Sequence, residues 1–406
     1  MASGTPSVLD HGSITSVPGI RSCGIHCGVK KAGKDLVLIY SEVPAVAWAT
    51  TTRCAIPGAP VYVVREHLSH ATHRAIVSNS RNSNTITGQR GIRDAKAMTA
   101  RAARALDCQP PEVLVASTGH MGVFLPMDRI LPGIDAAAAA LSRDGGHETA
   151  EAMMTTDTVP KKIAVQARIG GKVITIGGSA KGAGMIAPNM GTMHCFLATD
   201  CSIAKPTLKR ALIDAVDRSF NSVTVDGDTS TSDTVILLAN GLAGNRKLAS
   251  ASGADYAAFK SALDFVTQNL AQKIARDGEG ASKFVTVRVE RAASERDAKK
   301  LALTVANSVL TKCSMFGGDP NLGRVAAAAG RSGAKLDPDR FNLWFGKVRM
   351  VRNGIAAPFD RRAAFAAVDQ KEILIRIELG LGVGAWTAWT CDLTYEYVKF
   401  NAESET

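Results

Sequence analysis

Several things are missing from this 406-residue chain, and each absence removes a class of function. No apolar run reaches the roughly 18 residues of a membrane-spanning helix, so no membrane partner is expected. The first residues, Met1-Ala-Ser-Gly-Thr-Pro-Ser-Val8, lack a basic start followed by an apolar block. No secretory signal is therefore expected, and the cytoplasm is the expected compartment. The eight cysteines are dispersed; Cys23 and Cys27 have His26 between them, but no second cluster completes a zinc site. No metal is expected, and the cysteines read as reduced thiols. The Gly-rich stretch from Gly317 to Arg324 has no Gly-Lys-Ser/Thr ending and no clear strand before it, which argues against a phosphate-binding loop. The stretch Asp226-Gly-Asp-Thr-Ser-Thr-Ser-Asp233 is dense in oxygen ligands, yet lacks the glycine and distal glutamate of an EF-hand. The formal net charge is +11, but the basic residues fall in short pairs such as Lys30-Lys31, Lys161-Lys162 and Lys299-Lys300. Without a basic stripe, nucleic acid is not the expected partner; anionic small substrates or plain solvation suit the surface better.

What is present belongs to a globular protein: 46% hydrophobic and 21% charged residues, with enough length for a substantial core. Strands are expected at 35–40, 61–65, 75–78 and 112–116, where Val, Ile, Leu and Tyr concentrate. Residues 79–84 carry turn chemistry. A hairpin is expected at 163–168 and 172–176 around Gly170-Gly171. Apolar residues at helical spacing predict helices at 92–106, 208–220 and 256–274, and alanine content predicts one at 133–141. Another strand at 284–290 and a helix at 295–309 follow, then strands at 342–350, 373–378 and 388–400. Strands and helices mix throughout, which predicts layered α/β architecture.

One stretch organises the rest: Lys181-Gly-Ala-Gly-Met-Ile-Ala-Pro-Asn-Met-Gly-Thr-Met193. Gly182, Gly184 and Pro188 are incompatible with an ordinary helix interior and predict a tight bend at 188–191. Two readings follow. The stretch is a turn feeding the apolar segment at Phe196-Leu197, or the bend exposes the Gly191–Thr192 peptide bond to the threonine's own hydroxyl. Scission there would leave Thr192 with a free α-amine, which titrates near neutrality and can act as base for the hydroxyl. Two further stretches carry chemistry less specifically. The strand ending in Ser117-Thr118-Gly119-His120 presents a hydroxyl and a backbone N–H, the parts of an oxyanion site or of a simple turn. Glu279 sits between two glycines, where a carboxylate can meet an ammonium.

The stretch from Lys181 to Met193 resembles the motif Lys-Gly-x-Gly-Met-Ile-x-Pro-Asn-Met-x-Thr-Met of the ornithine acetyltransferases, also called bifunctional glutamate N-acetyltransferases. These enzymes cut themselves before the threonine. Met154-Thr-Thr-Asp-Thr158, the block Asp226–Asp233 and the Gly-Asp-Pro-Asn-Leu-Gly-Arg run ending at Arg324 are similar to further family motifs, so the resemblance covers nearly the whole chain. It implies a layered α/β sandwich of mixed sheets formed jointly by two fragments, 1–191 and 192–406, assembled as an α2β2 heterotetramer. It implies Thr192 as nucleophile, with cleavage between Gly191 and Thr192, and Thr118 and Gly119 as the oxyanion pair. Thr155, Lys181, Thr192, Glu279, Asn401 and Thr406 are implied as substrate contacts, and the Asp226–Asp233 block as a hydrogen-bonding scaffold beside the site. No cofactor is implied.

The implied activity is acetyl transfer from N-acetylornithine to glutamate by a ping-pong route through an acyl-Thr192 intermediate, as in the acetyl cycle of arginine biosynthesis. Acetyl-CoA is a second donor in bifunctional members. The chain departs from the family pattern at four places. Gly191 stands where alanine is usual, Arg81 where Asn-Ser-Gly-Asn is usual, His120 and Met121 follow Thr-Gly in place of small aliphatic residues, and Leu322 replaces a tryptophan. The departures at Gly191, Arg81 and Leu322 support an alternative: a paralogous acyl-amino-acid transferase or hydrolase of a specialised pathway with a different acyl donor. From another class, the chain could be an uncleaved binding protein without activity.

Overall fold

The aliphatic runs of the first 240 residues pair into one mixed sheet in the computed structural model, which describes residues 6–187 and 193–403. Its nine strands are β1 (Ser7–Val8), β2 (Ile20–Ile25), β3 (Leu36–Thr51), β4 (His73–Asn79), β5 (Val113–Ser117), β6 (Lys161–Ile169), β7 (Lys172–Lys181), β8 (His194–Thr199) and β9 (Thr234–Ala239). Across the sheet they run β1-β6-β7-β8-β9-β3-β4-β5, with β2 bonded to β3. The pairs β8–β9 and β4–β5 are parallel, the others antiparallel. The long β3 pairs with β4 over its first half and with β9 over its second. Pro44 lies within the register shift between the halves, where a missing N–H costs no ladder bond. The expected hairpin is β6–β7, and both Gly170 and Gly171 have the positive φ, 54° and 79°, that a tight two-residue turn demands.

Of the described residues, 6–182, 193–220 and 229–271 form one compact unit, and 183–187, 221–228 and 272–403 a second. The first unit's core joins the buried residues of β3, β4 and β5 with Phe196 and Ile236 and with helices Gly88–Ala105 and Met127–Ala139. Gly91, Ala95, Met98 and Ala102 line the buried face of the longer helix at intervals of three to four. The second unit holds a six-stranded sheet of β10 (Phe284–Ala292), β11 (Asn342–Phe345), β12 (Val348–Arg352), β13 (Ile355–Ala356), β14 (Glu372–Glu378) and β15 (Gly384–Cys391), in the order β13-β12-β11-β14-β10-β15. Helix Glu295–Ala306, opened by the Ser294 side chain accepting from Asp297 N, packs on β10 and β15. Two mixed sheets with helices on them make the chain an α/β protein, the class its sequence predicts. Among the described residues no helix is long and apolar enough to cross a membrane.

Two expected strands are helical. The valine-rich 61–65 lies in helix Ala59–His67, with Pro60 in the first turn and Val61, Val63 and Val64 buried. Burying three valines outweighs the small helix penalty of their β-branches, and Pro60 is the start signal that strand propensity obscures. The strand expected at 388–400 stops at Cys391; the Thr394 hydroxyl accepts from Tyr397 N at 3.2 Å and opens helix Tyr395–Glu403. In the Gly317–Arg324 stretch, Asn321 caps helix Leu322–Gly330 by accepting from Arg324 N at 3.1 Å. Leu322, in the tryptophan's place, packs half-buried on the second unit's core.

Candidate active site

Strand ends bring chemistry together in the first unit. β5 ends at Ser117, whose hydroxyl donates to Asn79 Oδ1 at 2.6 Å, while Thr118 N donates to Asn79 O at 3.1 Å. These bonds fix the turn that follows. Gly119 has φ +125°, and a Cβ there would stand 2.2 Å from the Arg81 carbonyl carbon, so only glycine fits. Thr118 is buried, and the Lys181 ammonium at the end of β7 approaches its Oγ1 at 3.5 Å. An ammonium can only donate, so Thr118 Oγ1 accepts there and keeps its own proton for another acceptor. The two sequence-predicted residues Thr118 and Lys181 are thus neighbours.

The predicted contact Thr155 is tied to the same place by a residue the sequence reading passed over. Asp157 Oδ2 accepts from Thr155 N at 3.0 Å, and Oδ1 accepts from Gly182 N at 2.7 Å and from Lys161 Nζ at 2.6 Å. Burial pushes the Asp157 carboxyl up, but the charges of Lys181 and Lys161 and the Gly182 N–H outweigh it and hold it at about 2. Asp157 lies inside the Met154–Thr158 motif, four residues before Lys161; that spacing was the available signal.

β8 begins beside Lys181, with His194 opposite it in register. His194 is fully buried, its Nε2 is 3.1 Å from Ser232 O, and burial with the Lys181 charge pushes its pKa down to about 3. It is neutral at physiological pH and has no part as a cation. Met193 N donates to Asp233 Oδ1 at 3.0 Å. Burial pushes the Asp233 carboxyl well up, while the Met193 N–H and the Lys181 charge work against that shift. Gly191, Thr192 and Thr406 lie outside the described residues.

In the second unit, Glu279 and Asn401 meet. Asn401 Nδ2 donates to Glu279 Oε2 at 3.1 Å, and Glu279 N donates to Ala183 O at 2.9 Å. A Cβ on Gly184 would reach within 2.2 Å of the Glu279 carboxylate, so the second glycine of the Lys-Gly-x-Gly run is there for close approach. Asp226 accepts from Met185 N at 2.6 Å and Ile186 N at 3.0 Å, and Tyr397 OH donates to it at 3.4 Å. Asp226 and Asp233, the two ends of the acidic block, each bind backbone of the organising stretch, as a scaffold would. Tyr397 carried no sequence signal. Cys23 is committed elsewhere: its thiol donates to Ala137 O, and burial pushes its pKa up to about 11.

The ArgJ family model matches residues 21–406. The chain belongs to the ArgJ family. It is 48% identical to the arginine biosynthesis bifunctional protein ArgJ of Symbiobacterium thermophilum, over 97% of this chain and 99% of that one. Against the protein of the same name from Geobacter sulfurreducens it is 46% identical, over 96% and 100%. The crystal structure of ArgJ from Bacillus halodurans is similar at 39% identity, covering 48% of this chain and 100% of that chain with a TM-score of 0.44. Ornithine acetyltransferase from Mycobacterium tuberculosis, solved in complex with ornithine, is similar at 36% identity, over 45% and 98%, with a TM-score of 0.42. Near-full-length identity to bifunctional ArgJ proteins does not favour the paralogue or hydrolase alternative for this ArgJ-family chain.

Proposed function

We propose that this ArgJ-family acyltransferase cuts itself between Gly191 and Thr192 and then moves acetyl from N-acetylornithine to glutamate by a ping-pong route. The observation that carries the reading is the buried Thr118–Lys181 contact at 3.5 Å, at the end of the sheet where β8 begins two residues after Thr192. In the first half-reaction Thr192 Oγ attacks the acetamide carbon, and its α-amine takes the hydroxyl proton. The negative charge gathers on the carbonyl oxygen, where the Thr118 hydroxyl and the Gly119 N–H donate to it. Collapse breaks the C–N bond, the proton passes to the leaving amine, and ornithine departs from acetyl-Thr192. Glutamate's amine then attacks the ester carbon, the same donors hold the oxyanion, and Thr192 Oγ leaves with a proton as N-acetylglutamate forms. Lys181 lowers the pKa of a nearby amine by its charge or holds a substrate carboxylate. Thr155, Glu279, Asn401 and Thr406 hold the amino-acid part. Acetyl-CoA serves as a second donor in this reading, as the family resemblance implies for bifunctional members. An α2β2 assembly in the cytoplasm completes the reading.

The test is a denaturing gel with N-terminal sequencing of its fragments. Two bands, one beginning Thr-Met-His-Cys, are expected from the wild-type chain, and a single inactive band from Thr192→Ala. A fully active intact polypeptide would exclude the nucleophile, and an intact chain with no turnover would favour the binding-protein reading.

A further inference from the structure

Arg81 carries a cost that the fold does not require. Its φ is +81°, in the left-handed region that L side chains with a Cβ resist. The residue is exposed, and its guanidinium makes no hydrogen bond or ion pair among the described residues. Its backbone has a clear duty: Arg81 O accepts from His120 N at 3.0 Å, and its carbonyl carbon backs directly onto Gly119. The next residue, Asn82, bridges to Thr118. Glycine would perform those backbone duties without strain. Strain kept at one position, with a long cationic side chain left unpartnered, points to work done by the side chain.

The surroundings give that work a sign. Lys30 Nζ donates to Met154 O at 2.8 Å, one residue before Thr155, and it feels the charges of both Lys181 and Arg81. Burial, with the two other cations contributing, pushes Lys30 down to about 8 although Asp35 and Asp157 oppose this. The first unit therefore gathers Lys30, Lys161, Lys181 and Arg81 around the Thr118–Gly119 turn and Thr155, and of these four Arg81 alone is exposed.

We propose that Arg81 is a specificity-determining residue whose guanidinium binds a carboxylate of the amino-acid substrate at the rim of the Thr118–Gly119 turn. The inference rests on the acyl-transfer reading. A guanidinium presents two parallel N–H donors that match a carboxylate. Lysine can supply the charge but not the fork.

Three variants separate charge, fork and strain: Arg81→Gln, Arg81→Lys and Arg81→Gly. Steady-state kinetics with N-acetylornithine and glutamate are read beside thermal melts. Arg81→Gln should raise KM about tenfold, the loss of one charge-assisted contact, with kcat nearly unchanged. Arg81→Lys should recover part of it. Arg81→Gly should melt at a higher temperature than wild type and still show the raised KM, a combination that a purely structural role does not produce. A rise for glutamate alone identifies its side-chain carboxylate as the partner; a rise for both substrates identifies the α-carboxylate they share. Unchanged KM for both substrates in Arg81→Gln and Arg81→Gly overturns the proposal. Calorimetric titration of wild type and Arg81→Gln with each substrate reads the same contact without turnover. Failure of wild type to transfer acetyl would therefore sink the functional reading alone, whereas equal Kd values would sink the role of Arg81.

Discussion

Asp157 is the residue on which most of the first unit's polar site hangs. Its two oxygens serve two backbone N–H groups and one buried ammonium, with the Lys181 charge close by. Replacing it by asparagine keeps the volume and removes the charge that compensates Lys161. Breaking a buried pair in this way costs about 3–5 kcal/mol, so Asp157→Asn is expected to lower the urea midpoint at neutral pH by a corresponding amount. The pH dependence has a definite sign. The folded carboxyl titrates at about 2, below its usual value of roughly 4. Its stabilisation is complete above about pH 4 and is lost as pH falls towards 2. Acid titration of wild type should therefore show a loss of stability in that window that is smaller in Asp157→Asn; parallel curves would show that Asp157 is not the group responsible.

At the scale of elements, the C-terminal helix Tyr395–Glu403 has no buried residue, yet Asn401 on it reaches the Glu279 carboxylate. A chain truncated after Phe400 should keep its melting temperature within a few degrees, because every described residue beyond Phe400 is exposed, while turnover falls by at least tenfold. Normal turnover would remove Asn401 and Thr406 from the site. Legibility differed between elements for physical reasons. The hairpin β6–β7 could be read because Gly170-Gly171 sits between two β-rich runs, and helix Gly88–Ala105 because its apolar residues keep one period. Helix Ala59–His67 was hidden since three valines signal a strand to any local reading, and only tertiary burial decides otherwise. Helix Tyr395–Glu403 was hidden since its start depends on a single hydroxyl cap. Motif spacing pointed to Thr118, Lys181 and Glu279, and the fold brings Thr118 beside Lys181 and Glu279 beside Asn401. Asp157, His194 and Tyr397 act through contacts between distant segments, which spacing alone does not encode.

At the scale of the whole molecule, strand order decides what scission can do. β8 pairs with β7 on one side and is parallel to β9 on the other, and β9 in turn pairs with β3. A cut between β7 and β8 leaves β8 and β9 of the second fragment flanked by β7 and β3 of the first. The two pieces should therefore migrate together through gel filtration and ion exchange, and part only in denaturant. Separation in native buffer would contradict this strand order or the position of the cut. A nick there would also change how the protein can be regained after melting. An unbroken Thr192→Ala chain can find its fold again alone, at a rate independent of dilution. A processed enzyme would first have to bring two molecules together, each with raw strand edges ready to stick to the wrong neighbour. A sample recovered well from urea when dilute and intact, but poorly once nicked, would reveal a catalyst assembled a single time, in one piece, and irreplaceable afterwards.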